Sequence, residues 1–302
     1  MGAWGAGLYS SDFAMDLRST IGAVSRLPFE PARLLAILRE SESAADDPAD
    51  SDHTIFWLVT ADQFQKRGLD CPEARERALA IVSNGEDLAA MVGLDMDEKT
   101  LAKRKAGLEI IAGRLTSPLP VKQRKVLKAP QPFVLEVGEA VAFPVNDRGD
   151  AINPYLVGKP WPIAKAWKQA AWGALVVLER GHVFDYLAWY QPLVVTRAFD
   201  EKPTLSEIWT PRTWLKRSVG TLTARHAQAM QFASLGQVRV DRMRLFAAFH
   251  GLAEPRWAAV NDITIANYIG LRDLDAVVAR AIERGARPPV QIDSLGAIAD
   301  PA

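Results

Sequence analysis

Asp185 and the run Asp200-Glu201-Lys202 come nearest to a catalytic constellation in this chain. An Asp on one strand and an acidic-x-Lys on the next is how restriction-type nucleases hold Mg²⁺ between two carboxylates while the lysine assists the water. Asp185 lies in the strand-like run HVFDYLAWYQ, and Asp200 follows PLVVTRAF. Pro203 directly after Lys202 signals a turn, which misplaces the lysine for that chemistry. The plain alternative is a solvated charge cluster at strand ends. Cys71 precedes Pro72 at an expected helix start, where a dipole can lower a thiol pKa, but no base is marked beside it. His53, His182, His226 and His250 form no i, i+4 pair and join Cys71 in no metal motif. The chain has no G-x-S-x-G elbow, phosphate loop or dinucleotide fingerprint. We therefore expect no catalytic residue, no metal and no cofactor.

Binding chemistry is better represented. Trp161, Trp167, Trp172, Trp189 and Tyr190 fall within thirty residues, with Lys165 and Lys168 beside the first two. Most tryptophans fill cores, yet GKPWPIAKAWKQ is too polar to bury whole. Trp161, Trp167, Lys165 and Lys168 are the expected partner-binding face, and the lysines point to an acidic protein partner. A second set is basic. From Lys99 to Lys128, nine cations including Lys103, Arg104, Lys122, Arg124 and Lys125 face a lone Glu109. Together with the aromatics they are the surface a nucleic-acid binder would use, against the simpler reading of a solvated helix and linker. Glu40 to Asp52, with six acidic residues and no basic one, reads as a solvated loop.

Composition narrows the classes. Lys plus Arg equals Asp plus Glu at 36 each, so no overall field draws the 302-residue chain to nucleic acid or acidic lipid. A single Cys excludes an internal disulfide framework. No apolar stretch reaches membrane-spanning length, Ala6 departs from the myristoylation pattern, and no secretory signal is present; the expectation is a soluble, cytoplasmic protein without a membrane partner.

The elements that must position these residues change character along the chain. PARLLAILRE, HTIFWLVTADQFQKRG after Asp52, PEARERALAIVSNG and DEKTLAKRKAGLEIIAGRL read as helices. Pro118, Pro120, Pro130 and Pro132 then mark a linker. FVLEVGEAVAFPV, ALVVLER, HVFDYLAWYQ, PLVVTRAF, the alternating QVRVDRMRLF and WAAVNDITIAN read as strands, NDRG as a hairpin turn, and LRDLDAVVARAIERG as a closing helix. The predicted fold class is α+β. It comprises a helical domain over 1–117, a Pro-rich basic linker over 118–132, and a β-rich α+β domain over 133–302 with a strongly bent antiparallel sheet and a C-terminal helix.

Two stretches carry resemblances. The opening MGAWGAGLYSSDFAMDL sets Gly2, Gly5 and Gly7 around Trp4, then Tyr9, then Asp12 and Asp16 four apart. It resembles a bacterial family of unknown function that begins Met-Gly-x-Trp-Gly-x-Gly with an aromatic and an Asp-x-x-x-Asp pair. That resemblance implies kinship without an activity, and we expect the motif to be structural, with Trp4 buried. Further on, Val137 to Pro144, Trp172 to Leu178 and Val183-Phe184-Asp185 resemble the immunity protein 26 family, although INPYLVGKPWPIAKAWKQAA is inserted between the first two pieces. The resemblance implies a small bent β-sheet domain that binds another macromolecule. The expected function is non-catalytic macromolecule binding, with toxin neutralisation as its most specific form. The alternative is a nucleic-acid binder or metal-dependent nuclease using the 99–128 stretch with Asp185, Asp200 and Lys202.

Overall fold

The computed structural model describes residues 5–121, 124–145, 169–195, 198–210, 214–216, 222–248 and 291–302. It divides into two units, Met1–Ala129 and Pro130–Ala302. The first is helical and the second is built on a sheet, a mixed α+β chain.

Unit 1 contains α1 (Asp12–Val24), α2 (Pro31–Ser41), α3 (His53–Lys66), α4 (Pro72–Asn84), α5 (Glu86–Gly93) and α6 (Glu98–Leu115). Every α3 residue from His53 to Gln65 is buried, which is how a helix that is apolar nearly all round must sit. It packs against α1, α4, α5 and α6. Local chemistry fixes the ends. Ser11 accepts from Ala14 N–H at 3.1 Å to start α1, and Asp97 accepts from Thr100 N–H at 2.9 Å to start α6. Gly85, left-handed at φ 71°, closes α4 and lets the chain restart at Glu86 as α5.

The Pro-rich stretch is tied down on the unit 1 side. The Arg124 guanidinium donates to the carbonyls of Ser25, Leu27 and Phe29, and Leu127 N–H donates to Arg26 O at 2.7 Å. These carbonyls follow the end of α1, where orphan acceptors need donors.

Unit 2 contains β1 (Glu139–Val145), β2 (Ala171–Val183), β3 (Leu187–Val195), β4 (Trp214–Lys216), α7 (Ala224–Ala229), β5 (Ala233–Val240), α8 (Arg242–Ala248), β6 (Gln291–Ile292) and β7 (Ala299–Pro301). The described strands run β6-β4-β3-β2-β1-β5-β7, each paired antiparallel with its neighbour. Both faces of the central strands are buried. Val176, Leu178, Leu193 and Val195 join one apolar cluster, and Leu175, Val177, Tyr190 and Val194 join the other. Two-sided burial explains the near-continuous hydrophobic runs of β2 and β3.

Three sequence expectations need correction here. HVFDYLAWYQ is not one strand: it turns at Phe184-Asp185, whose φ values of 51° and 63° are those of a tight hairpin turn made without glycine. Pro192 does not end a strand, because Leu178 bulges out between the pairs Val177↔Pro192 and Glu179↔Gln191 and absorbs the missing amide. QVRVDRMRLF is strand only to Val240; Asp241 accepts from Arg244 N–H at 3.0 Å and starts α8. Gly138, at φ 81°, lies where a Cβ would come within 2.2 Å of Val238 O, so β5 approaches β1 as closely as it does only because that residue is glycine. The NDRG turn, WAAVNDITIAN and LRDLDAVVARAIERG lie outside the described residues.

Candidate functional site

The opening segment is held in unit 1 by two clusters of buried charge. In the first, Arg104 of α6 is 3% exposed and grips Asp87 of α5, 0% exposed, through Nε and Nη2 at 2.8 Å each. Its remaining Nη1 donates to Gly7 O at 2.8 Å, and Thr54 of α3 donates to Asp87 Oδ1 at 3.3 Å. Two buried, opposite charges in a bidentate pair satisfy one another, and the leftover guanidinium donor fixes the opening backbone. Gly7 O also accepts from Ser10 N–H at 3.1 Å, closing the turn that leads into α1. A cavity of about 210 Å³ lies beside this contact, between Ala6-Gly7-Leu8 and the Lys103–Ile111 face of α6.

The second cluster centres on Asp62 of α3, whose side chain is 1% exposed. Tyr9 donates its phenolic O–H to Asp62 Oδ2, Lys66 Nζ lies 2.6 Å from the same oxygen, and Arg114 of α6 donates to Oδ1. Gln63 donates to the Tyr9 oxygen and accepts from Arg67. Arg18 of α1 stacks over the Tyr9 ring with Cζ 5.1 Å from its centroid, and Lys66 Nζ is 5.4 Å from it. Burial and the Asp62 carboxylate push the Tyr9 phenol well above its ordinary pKa. The phenol is therefore held in its protonated form as a donor to Asp62. Burial lowers the Arg67 pKa, with the like charge of Arg18 acting the same way and Asp62 opposing. Lys66 and Arg114 thus contact the Asp62 carboxylate directly, while Arg18 and Arg67 stand on its neighbours Tyr9 and Gln63. Among the described residues, Arg18 and Arg67 make no ion pair.

The opposite side of α1 is acidic. Asp12 and Asp16 are both exposed on it. Burial, followed by Asp16 and Asp52, raises Glu42 to a pKa of about 7.

The sequence-derived candidates fall as follows. Arg104 is not part of a basic surface, because it is spent inside unit 1 on Asp87. Arg124 is half-buried on backbone carbonyls, whereas Lys103 and Lys125 are exposed. Gly5 and Gly7 enter the turn before α1. Gly2, Trp4, Lys122, Trp161, Lys165, Trp167 and Lys168 lie outside the described residues. Asp185 sits exposed in the β2–β3 turn, not within a strand, and Asp200 and Lys202 are exposed in the loop after β3. Among the described residues no group of three or more His, Cys, Asp or Glu could hold a metal. Cys71 is buried, and that burial raises its pKa, the reverse of an activated thiol. His53 and His182 are hydrogen bonded, at 2.7 Å, to the Ala44 and Gln131 carbonyls.

Sequence reasoning missed Asp62, Gln63, Asp87, Arg18, Lys66, Arg67 and Arg114 as a set. One signal was present: Asp62-Gln63 interrupts an apolar helix, and a buried carboxylate demands cations. Comparison with protein-family models, with curated proteins and with solved structures finds no match for the chain. No described helix is long and apolar enough to cross a membrane.

Proposed function

We propose that this protein is a non-catalytic, cytoplasmic macromolecule-binding protein, with immunity-type neutralisation of a toxin as the most specific form of that reading. The observation that carries it is the state of the Asp62 cluster. Its titratable groups are locked to one another as structural partners, while its cations outnumber its carboxylate four to one. A phenol whose pKa is raised by burial and by Asp62 suits recognition and does not suit acid–base turnover. The resemblance of Val137–Pro144 and the following strands to the immunity protein 26 family supports the same reading. The nucleic-acid alternative is weakened by two of its five expected basic residues: Arg104 is buried on Asp87, and the Arg124 guanidinium is engaged with backbone carbonyls of unit 1.

The test has two arms on the purified full chain. It should leave DNA and RNA intact with Mg²⁺ or Mn²⁺, and a partner crosslinked in its native host should re-form a stoichiometric complex from purified components. Metal-dependent cleavage abolished by Asp185→Asn, or no complex with any purified crosslinked protein, would overturn it.

A further inference from the structure

The uncompensated cations of the Asp62 cluster have a geometry that specifies what they meet. Lys66 and Arg114 share Asp62, which cancels one of their two charges. Arg67 is half-buried and anchored by its own Nη1 to Gln63 O at 3.1 Å, so its guanidinium is positioned without an anion. Its guanidinium reaches α1, where Nη2 lies 3.8 Å from the position a Cβ on Gly22 would take, an ordinary contact distance. Arg18, exposed and one turn before Gly22, is aligned by the Tyr9 ring. Half-buried Arg67 feels the like charge of exposed Arg18, and an anion that joins the two relieves that repulsion.

We propose that Arg18 and Arg67, with Lys66 and Arg114 beside them, form a docking site for the carboxylate side chains of an acidic protein partner. This rests on the binding reading above and names the chemistry of its partner. A partner surface is favoured over a free anion by exposure. The Lys66 and Arg114 side chains are 42% and 37% exposed, so water would screen a lone anion there. A protein surface that delivers several carboxylates together excludes that water and engages the planar guanidinium forks in pairs. Asp62 and Tyr9 act as the fixed base that holds the cations at the surface.

The experiment titrates full-length protein with a fluorescently labelled deca-glutamate peptide at low and high salt. Binding should be salt-sensitive, weakened at least about tenfold by Arg18→Glu and less by Arg18→Lys, which keeps the charge and loses the fork. Lys125→Glu makes the same charge change on an exposed residue outside the cluster and should leave affinity within about twofold. The proposal is overturned if Lys125→Glu weakens binding as much as Arg18→Glu, or if the peptide does not bind. It is also overturned if oligothymidylate or inorganic phosphate binds more tightly through the same residues. A stoichiometric complex that forms equally well with Arg18→Glu removes this site and leaves the binding function standing.

Discussion

Unit 1 and unit 2 solve the problem of burial in opposite ways. Unit 1 sinks Asp62, Asp87 and Arg104 into its interior and satisfies each with partners from several helices and from the opening segment. Unit 2 buries apolar side chains on both faces of its central strands, and its described ion pairs, such as Arg242–Glu179 and Arg244–Asp300, stand at least partly exposed. A buried charge is worth little by itself but is costly to orphan, so charge in unit 1 specifies geometry. Apolar area in unit 2 supplies stability without aiming any group. Among the described residues, buried and paired charge is found on the helical unit.

The comparison is broken most forcefully at Asp87. Asp87→Ala leaves Arg104 buried and unpaired, and should destabilise unit 1 by about 3–5 kcal/mol, read as faster amide exchange in α3 and release of residues 5–9. A loss below about 1 kcal/mol would show that the pair holds nothing. In unit 2 the matching lesion is Leu193→Ala, fully buried in β3, with an expected loss of about 3 kcal/mol that is equal at pH 5 and pH 8. A strongly pH-dependent loss would mean that unit 2 conceals a charge of its own.

The acidic side of α1 sharpens the contrast more gently. Glu42 binds its proton more tightly folded than unfolded, because burial and the neighbouring Asp16 and Asp52 raise its folded pKa to about 7. Its contribution is favourable while it is protonated, and is lost as pH rises from the ordinary carboxylate range through about 7. Glu42→Gln should therefore stabilise the protein by about 1 kcal/mol at pH 8, after allowance for partial exposure, and have no effect below pH ~4. Equal melting shifts at both pH values would refute the assignment.

Much of unit 1 was legible in sequence because its helices announce their ends. Pro31, Pro72 and Gly85 stand where first turns and left-handed caps require them. The sheet was legible as a set of apolar runs but not in its connections. The hairpin turn uses Phe184-Asp185 where Asn-Gly would be expected, and Pro192 sits inside a strand opposite a bulge. The site was the least legible part. Tyr9 could be singled out as part of a motif, but its partners lie at positions 18, 62–67 and 114, which only the packing of α1, α3 and α6 brings together. Arg104 shows the reverse error: its neighbours in sequence are basic and exposed, while helical period turns it alone toward Asp87.

The claim that the opening motif serves as a scaffold, and not as a catalytic centre, can be tested by ultraviolet titration of the phenols. The chain has 5 tyrosines, and Tyr9 is held protonated by burial and by Asp62. Wild type and Tyr9→Phe should therefore give superimposable phenolate absorbance between about pH 9 and 11, where an ordinary tyrosine ionises. If the wild type gains one more phenolate than the variant over that range, the Tyr9 proton is free to exchange and the scaffold account is contradicted.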